Sequence, residues 1–106
     1  MPSEEFVKIA VLAEIPEGKM TAVRIGTRQV TIARIEDKLY AMDNACTHVG
    51  GPLASGVLEG HVVTCPWHGS RFDVRTGEVV RGPAAKPEKT HEVKVLGNDV
   101  LIKILA

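Results

Sequence analysis

Residues 43–87 hold seven of the ten glycines and four of the six prolines in a chain of 106 residues. That density rules out a long helix or a long central strand there. Proline fixes φ and has no amide donor, and glycine loses the most backbone entropy on ordering. A segment so poor in regular structure needs something else to hold it. Both cysteines and three of the four histidines lie inside it.

On either side the pattern is strand, turn, strand. Residues 6–12 alternate, with Val7, Ile9 and Val11 on one face, until Pro16-Glu17-Gly18 breaks the run. Residues 22–25 and 29–35 are rich in β-branched side chains around a turn at Gly26-Thr27-Arg28. Val30 and Ile32 share a face, with Arg34 in register. Glu36-Asp37-Lys38 turns the chain into residues 39–42. Residues 92–96 and 100–104 flank Gly97-Asn98-Asp99, a hairpin signature. Brief strands are expected near 61–64, 71–74 and 78–80, and one short turn at 12–15. No window carries helical periodicity beyond two turns. Short strands at this spacing predict an all-β, antiparallel sandwich or barrel.

Composition narrows the function. Thirteen basic and thirteen acidic residues leave a formal charge of zero, and no run of like charge exceeds two residues. A nucleic-acid groove or an anionic membrane surface is not expected. No stretch approaches the ~18 apolar residues of a membrane helix. The polar, acidic start at Met1-Pro2-Ser3-Glu4-Glu5 does not resemble a signal peptide, so a cytoplasmic location is expected. In a reducing compartment, paired cysteines point to metal binding or catalysis before a structural disulfide.

The chemistry concentrates in two pairs, Cys46-Thr47-His48 and Cys65-Pro66-Trp67-His68, with sixteen residues between His48 and Cys65. Each puts a thiolate and an imidazole on one short loop. Gly50-Gly51 follow the first pair and Gly69 the second, and glycine lets backbone amides approach a metal or sulfide. Four such ligands could hold zinc. The usual zinc-finger spacing, however, opens with two cysteines and places two histidines on a helix. A catalytic cysteine would need a base and an oxyanion site, which Pro66 and Trp67 do not offer.

The longer strings, Cys46-Thr47-His48-Val49-Gly50-Gly51-Pro52-Leu53 and Cys65-Pro66-Trp67-His68-Gly69-Ser70-Arg71-Phe72-Asp73, resemble the Rieske box. Gly77-Glu78 and Gly82-Pro83-Ala84-Ala85 resemble that family's third loop over the cluster. The resemblance spans the chain. It implies one Rieske domain over residues 1–106, with a base of about 1–42 and 82–106 and a loop-rich cluster-binding subdomain of about 43–81. It implies one [2Fe–2S] cluster, with Cys46 and Cys65 on one iron and His48 and His68 on the other. Gly50, Gly51, Trp67, Gly69, Ser70, Phe72 and Pro83 are expected around it, with Val49, Leu53 and Pro83 as an apolar rim.

The departures from the family carry the functional expectation. High-potential Rieske proteins have a second cysteine in each box, joined as a disulfide; Gly51 and Trp67 stand at those positions. Phe72 stands where they place a tyrosine hydroxyl, and it has no donor. Ser70 remains as a donor toward a cluster sulfur. Fewer donors imply a lower potential. The implied protein is a soluble, monomeric ferredoxin with no catalytic residues of its own. It would carry electrons from a flavin-containing NAD(P)H-dependent ferredoxin reductase to a terminal aromatic-ring oxygenase. A small electron-transfer subunit of a larger enzyme, such as an assimilatory nitrite reductase, is the alternative. His61 and His91 read as ordinary strand or turn residues, and Lys86, Glu88 and Lys89 as a solvated loop.

Overall fold

The computed structural model describes residues 6–47, 50–67 and 69–103. Ten strands run in order: β1 (Val7–Val11), β2 (Met20–Ile25), β3 (Arg28–Ile35), β4 (Lys38–Asp43), β5 (Val57–Glu59), β6 (Val62–Thr64), β7 (Arg71–Asp73), β8 (Val79–Arg81), β9 (Thr90–Leu96) and β10 (Asp99–Lys103). Helical structure among the described residues is confined to two 3₁₀ turns, Leu12–Glu14 and Leu53–Ser55. No helix there is long and apolar enough to cross a membrane.

Six strands form one sheet in the order β1-β10-β9-β4-β3-β2, and β1 and β2 approach each other to bring it close to a closed barrel. The other four form a small sheet, β5-β6-β7-β8. Every strand pairing is antiparallel, as the alternating pattern predicted.

Local chemistry sets the hairpins. Gly97-Asn98 joins β9 to β10 and Gly26-Thr27 joins β2 to β3, each with its glycine at a φ of +62°. The β3–β4 turn puts two non-glycine residues, Glu36 and Asp37, at φ 52° and 64°. Left-handed backbone at both central positions is what a tight hairpin requires, and it strains these side chains. The Glu17 carboxylate offsets that cost by accepting both turn amides, at 2.6 and 2.9 Å.

Strand β3, between β4 and β2, is buried on both faces. Val30 and Ile32 point into the barrel with Ala10, Ile15, Ala41, Val100 and Ile102. The alternate residues Ala33 and Ile35 face outward, where they join Met42, Leu53, Val63, Phe72 and Val74 beneath the small sheet. Period-two geometry makes one strand serve both cores. Arg34, in register with the barrel face, is partly exposed and donates to the Ile15 carbonyl at 3.2 Å.

Two expectations need correction. In β1 the buried residue is Ala10, and Val7 is exposed. The pairing with β10 shifts register between Lys8 and Ala10, and such an irregularity breaks strict alternation. Strand β5, only three residues after Gly56, was not expected; it forms by pairing with β6.

The turn after β7 carries a testable ion pair. The Asp73 carboxylate accepts the Arg75 backbone amide at 2.9 Å and pairs with its guanidinium at 2.9–3.1 Å. That pairing holds the Asp73 pKa below its ordinary 3.8 against the opposing effect of burial. A depressed carboxyl pKa stabilises the fold above the unfolded-state value, and this contribution is lost as pH falls through the folded-state value. The wild type is therefore expected to lose more unfolding free energy between neutral pH and the acid range than Asp73→Asn does. Urea midpoints across that range measure this, and equal losses would refute it.

Candidate metal centre

Both cysteines end up on loops that close back on themselves. In the first, the Cys46 amide donates to the Gly51 carbonyl and the Gly50 amide to the Cys46 carbonyl, both at 2.8 Å. Gly50 takes a φ of +78°, which completes this reversal. Asn44 ties the loop to the barrel. Its amide donates to the Gln29 carbonyl at 3.0 Å, and its side-chain oxygen accepts the Thr31 hydroxyl at 2.7 Å and the Ala54 amide at 2.9 Å. In the second loop, between β6 and β7, the Cys65 amide donates to the Ser70 carbonyl at 2.8 Å. Gly69 there has a φ of +76°.

The two loops meet at their sulfurs. Cys46 is 3% exposed and Cys65 1%, and both are free thiols. Burial is the main cause pushing the Cys65 thiol pKa above its ordinary 9.0. The Trp67 amide, which donates to Cys65 Sγ at 3.4 Å, opposes this; a side-chain hydrogen bond with Cys46 and the negative charge of Glu88 reinforce it. A thiol so placed ionises readily only beside a positive charge, which a bound metal supplies. A buried pair of thiols with a backbone amide aimed at sulfur fits an iron–sulfur group.

A third segment covers the site from the side. Fully buried Ser70 accepts the Ala84 amide on Oγ at 3.0 Å, which leaves the hydroxyl proton for another acceptor. Phe72 is fully buried beneath the loops. Gly50, Pro66, Trp67 and Pro83 are exposed around the site, Trp67 at 49%. His48, His68 and Val49 lie outside the described residues.

Two expectations fail here. Leu53 is fully buried under the first loop and forms no rim. His91, a strand residue as expected, is buried in β9 with its Nε2 2.8 Å from Asp43 Oδ1. Glu88 is 4% exposed and its carboxylate accepts the Thr47 amide at 2.8 Å, so residues 86–89 are not simply a solvated loop. Glu88 and Asn44 are the site residues that sequence reasoning missed. Nothing local marks Glu88, between Pro87 and Lys89. Asn44, just before Ala45-Cys46, sits where a side chain that bonds backbone often anchors a loop.

Residues 5–97 match the model of the Rieske [2Fe–2S] domain. The chain belongs to the Rieske family. It is 36% identical over 102 residues to the ferredoxin component of a naphthalene 1,2-dioxygenase system from Pseudomonas aeruginosa, covering 96% of this chain and 98% of that protein. It superposes with a TM-score of 0.88 on the ferredoxin of carbazole 1,9a-dioxygenase from Nocardioides aromaticivorans IC177, at 33% identity, covering 93% of this chain and 97% of the other. A ferredoxin chain from a complex of reduced oxygenase and oxidized ferredoxin in carbazole 1,9a-dioxygenase gives 0.85 at 32% identity, covering 91% and 99%.

Gly51 and Trp67 lie side by side: a Cβ on Gly51 would lie 3.0 Å from the indole and 2.8 Å from Cys65 Sγ, so no side chain fits at Gly51 unless the sulfur or the ring moves.

Proposed function

We propose that this chain is a one-electron carrier, a low-potential Rieske ferredoxin and not itself an enzyme. Cys46 and Cys65 would hold one iron, and His48 and His68 the other, of a single [2Fe–2S] cluster. It would accept electrons from a flavin-containing NAD(P)H-dependent reductase and deliver them to a terminal oxygenase acting on aromatic rings. The observation that carries this reading is the meeting of two buried thiols from separate loops in a fold shared, over nearly its full length, with ferredoxin components.

When bound, the cluster supplies a one-electron iron couple. The residues of the chain do the rest. The amide of Trp67 is aimed at the Cys65 sulfur, while Phe72 offers no donor at all. A smaller donor set stabilises the more negative, reduced state less, so the potential falls toward the lower end of the Rieske span of about −150 to +300 mV. Gly50, Pro66, Trp67 and Pro83 are exposed around the loops and carry no charge, while Lys86, bonded to Thr47, is exposed beside them. A small uncharged patch edged by a basic side chain suits a transient encounter of the size typical of electron transfer. The ferredoxin solved in complex with its oxygenase is the relative that supports an oxygenase as acceptor.

Two measurements test this. Spectroelectrochemistry at neutral pH is expected to place the midpoint nearer about −150 mV than +300 mV. A midpoint at the upper end would refute the low-potential assignment. In a reconstituted system of reductase, this protein and a terminal aromatic-ring oxygenase, product formation is expected to depend on this protein. Turnover unaffected by its omission would refute the carrier role.

A further inference from the structure

Glu88 is a buried acid that electron transfer as outlined does not use. Its carboxylate accepts the Thr47 amide at 2.8 Å. Two residues earlier, the Lys86 carbonyl accepts the Thr47 hydroxyl at 2.6 Å. Thr47 is thus gripped at both its backbone and its side chain by one short segment. That segment is itself fixed: the Glu88 amide donates to the Gly77 carbonyl at 2.7 Å, and the Gly77 amide donates to the Asp73 carbonyl at 2.7 Å. Asp73 ends β7, the strand that follows the second ligand loop. A continuous set of hydrogen bonds therefore runs from the second loop's hairpin, through Glu88, to the residue between Cys46 and His48.

We propose that Glu88 is a positioning residue for the cluster, its carboxylate fixing Thr47 and hence the neighbouring Cys46. This rests on the assignment of Cys46 as a cluster ligand. Burying a carboxyl group is costly unless it is well bonded. Here burial raises its pKa to about 7, a cost that the Thr47 amide partly offsets and that the nearby Asp43 charge increases. An acid retained at that cost, and bonded to the residue next to Cys46, is placed to hold that ligand in position. Partners that orient metal ligands in this way typically change metal retention about 10–100-fold when removed.

The test uses the cluster-loaded protein. Glu88→Leu removes the acceptor. It is expected to shift the g-values of the reduced cluster in electron paramagnetic resonance and to speed iron loss to a chelator about 10-fold. Glu88→Gln keeps an acceptor oxygen and is expected to restore the wild-type g-values. Glu88→Asp draws the carboxylate back from the Thr47 amide while keeping the charge, and is expected to shift the g-values in the same sense as Glu88→Leu; this measurement stands if the leucine variant does not fold. Wild-type g-values and iron retention in Glu88→Leu, or in Glu88→Asp where the leucine protein is lost, would overturn the proposal. So would a glutamine variant as perturbed as the leucine one. A wild-type protein with no Rieske signal would overturn the ligand assignment beneath it, and that failure is visible before any variant is made.

Discussion

Alanine in place of Cys65 is expected to abolish cluster incorporation, taking iron and acid-labile sulfide to near zero. Cys65 is 1% exposed and shares its site with Cys46. No other cysteine exists to replace either one. Thiolates are the ligands that bind iron–sulfur groups strongly, and no oxygen donor nearby matches their softness. The lost sulfur itself should cost only about 1 kcal/mol by the cavity argument. Loss of the cluster also removes what holds residues 43–87, so the variant is expected to be colourless, to keep the circular dichroism of a β-rich chain, and to melt at a lower temperature. Cys46→Ala should behave alike. Iron and sulfide analysis with electron paramagnetic resonance of the reduced sample checks this, and full iron content in either variant would refute the assignment of these thiols.

The second large effect is on stability. Gly77 has a φ of +80°, and a Cβ there would collide with the Glu88 carbonyl. Alanine meets two penalties at once: left-handed backbone at about 1–3 kcal/mol, and overpacking against fixed backbone at about 1–3 kcal/mol. A loss of about 3 kcal/mol is expected for Gly77→Ala, or a melting temperature lower by roughly 15 °C in a domain of this size. Gly97 is the control. Its φ is +62°, and a Cβ there would have no neighbour within 4 Å. Gly97→Ala carries the backbone penalty alone and should lose about 1 kcal/mol. Equal melting temperatures for the two variants would show that contact with Glu88 contributes nothing.

Much of the architecture was legible because it is local. The Gly97-Asn98 and Gly26-Thr27 turns and the alternating runs beside them state their pairing within a few residues. The two Cys/His pairs stand out in the sequence for the same reason, since the candidate ligands of one loop sit in nearly adjacent letters. What stayed hidden depends on distant partners. Val7, Ile9 and Val11 read as one face of an alternating run, yet an irregularity in the pairing of β1 with β10 puts Ala10 inward and leaves Val7 exposed. Glu88 looked solvated because its burial comes from Thr47, forty-one residues earlier in the chain. His91 likewise finds its partner, Asp43, forty-eight residues away. Leu53 reads as a rim residue in its motif, yet the fold turns it down onto Phe72 and Val63.

The double burial of β3 has a consequence for how the molecule breathes. Its alternate side chains belong to the barrel interior and to the layer beneath the ligand loops. No seam runs between those two layers along which one could open while the other stays closed. Amide protons of Val30, Ile32, Ala33 and Ile35 should exchange with solvent only when the whole chain opens, and together. Such shared fastening ties the layer beneath the two cysteine loops to the barrel behind it.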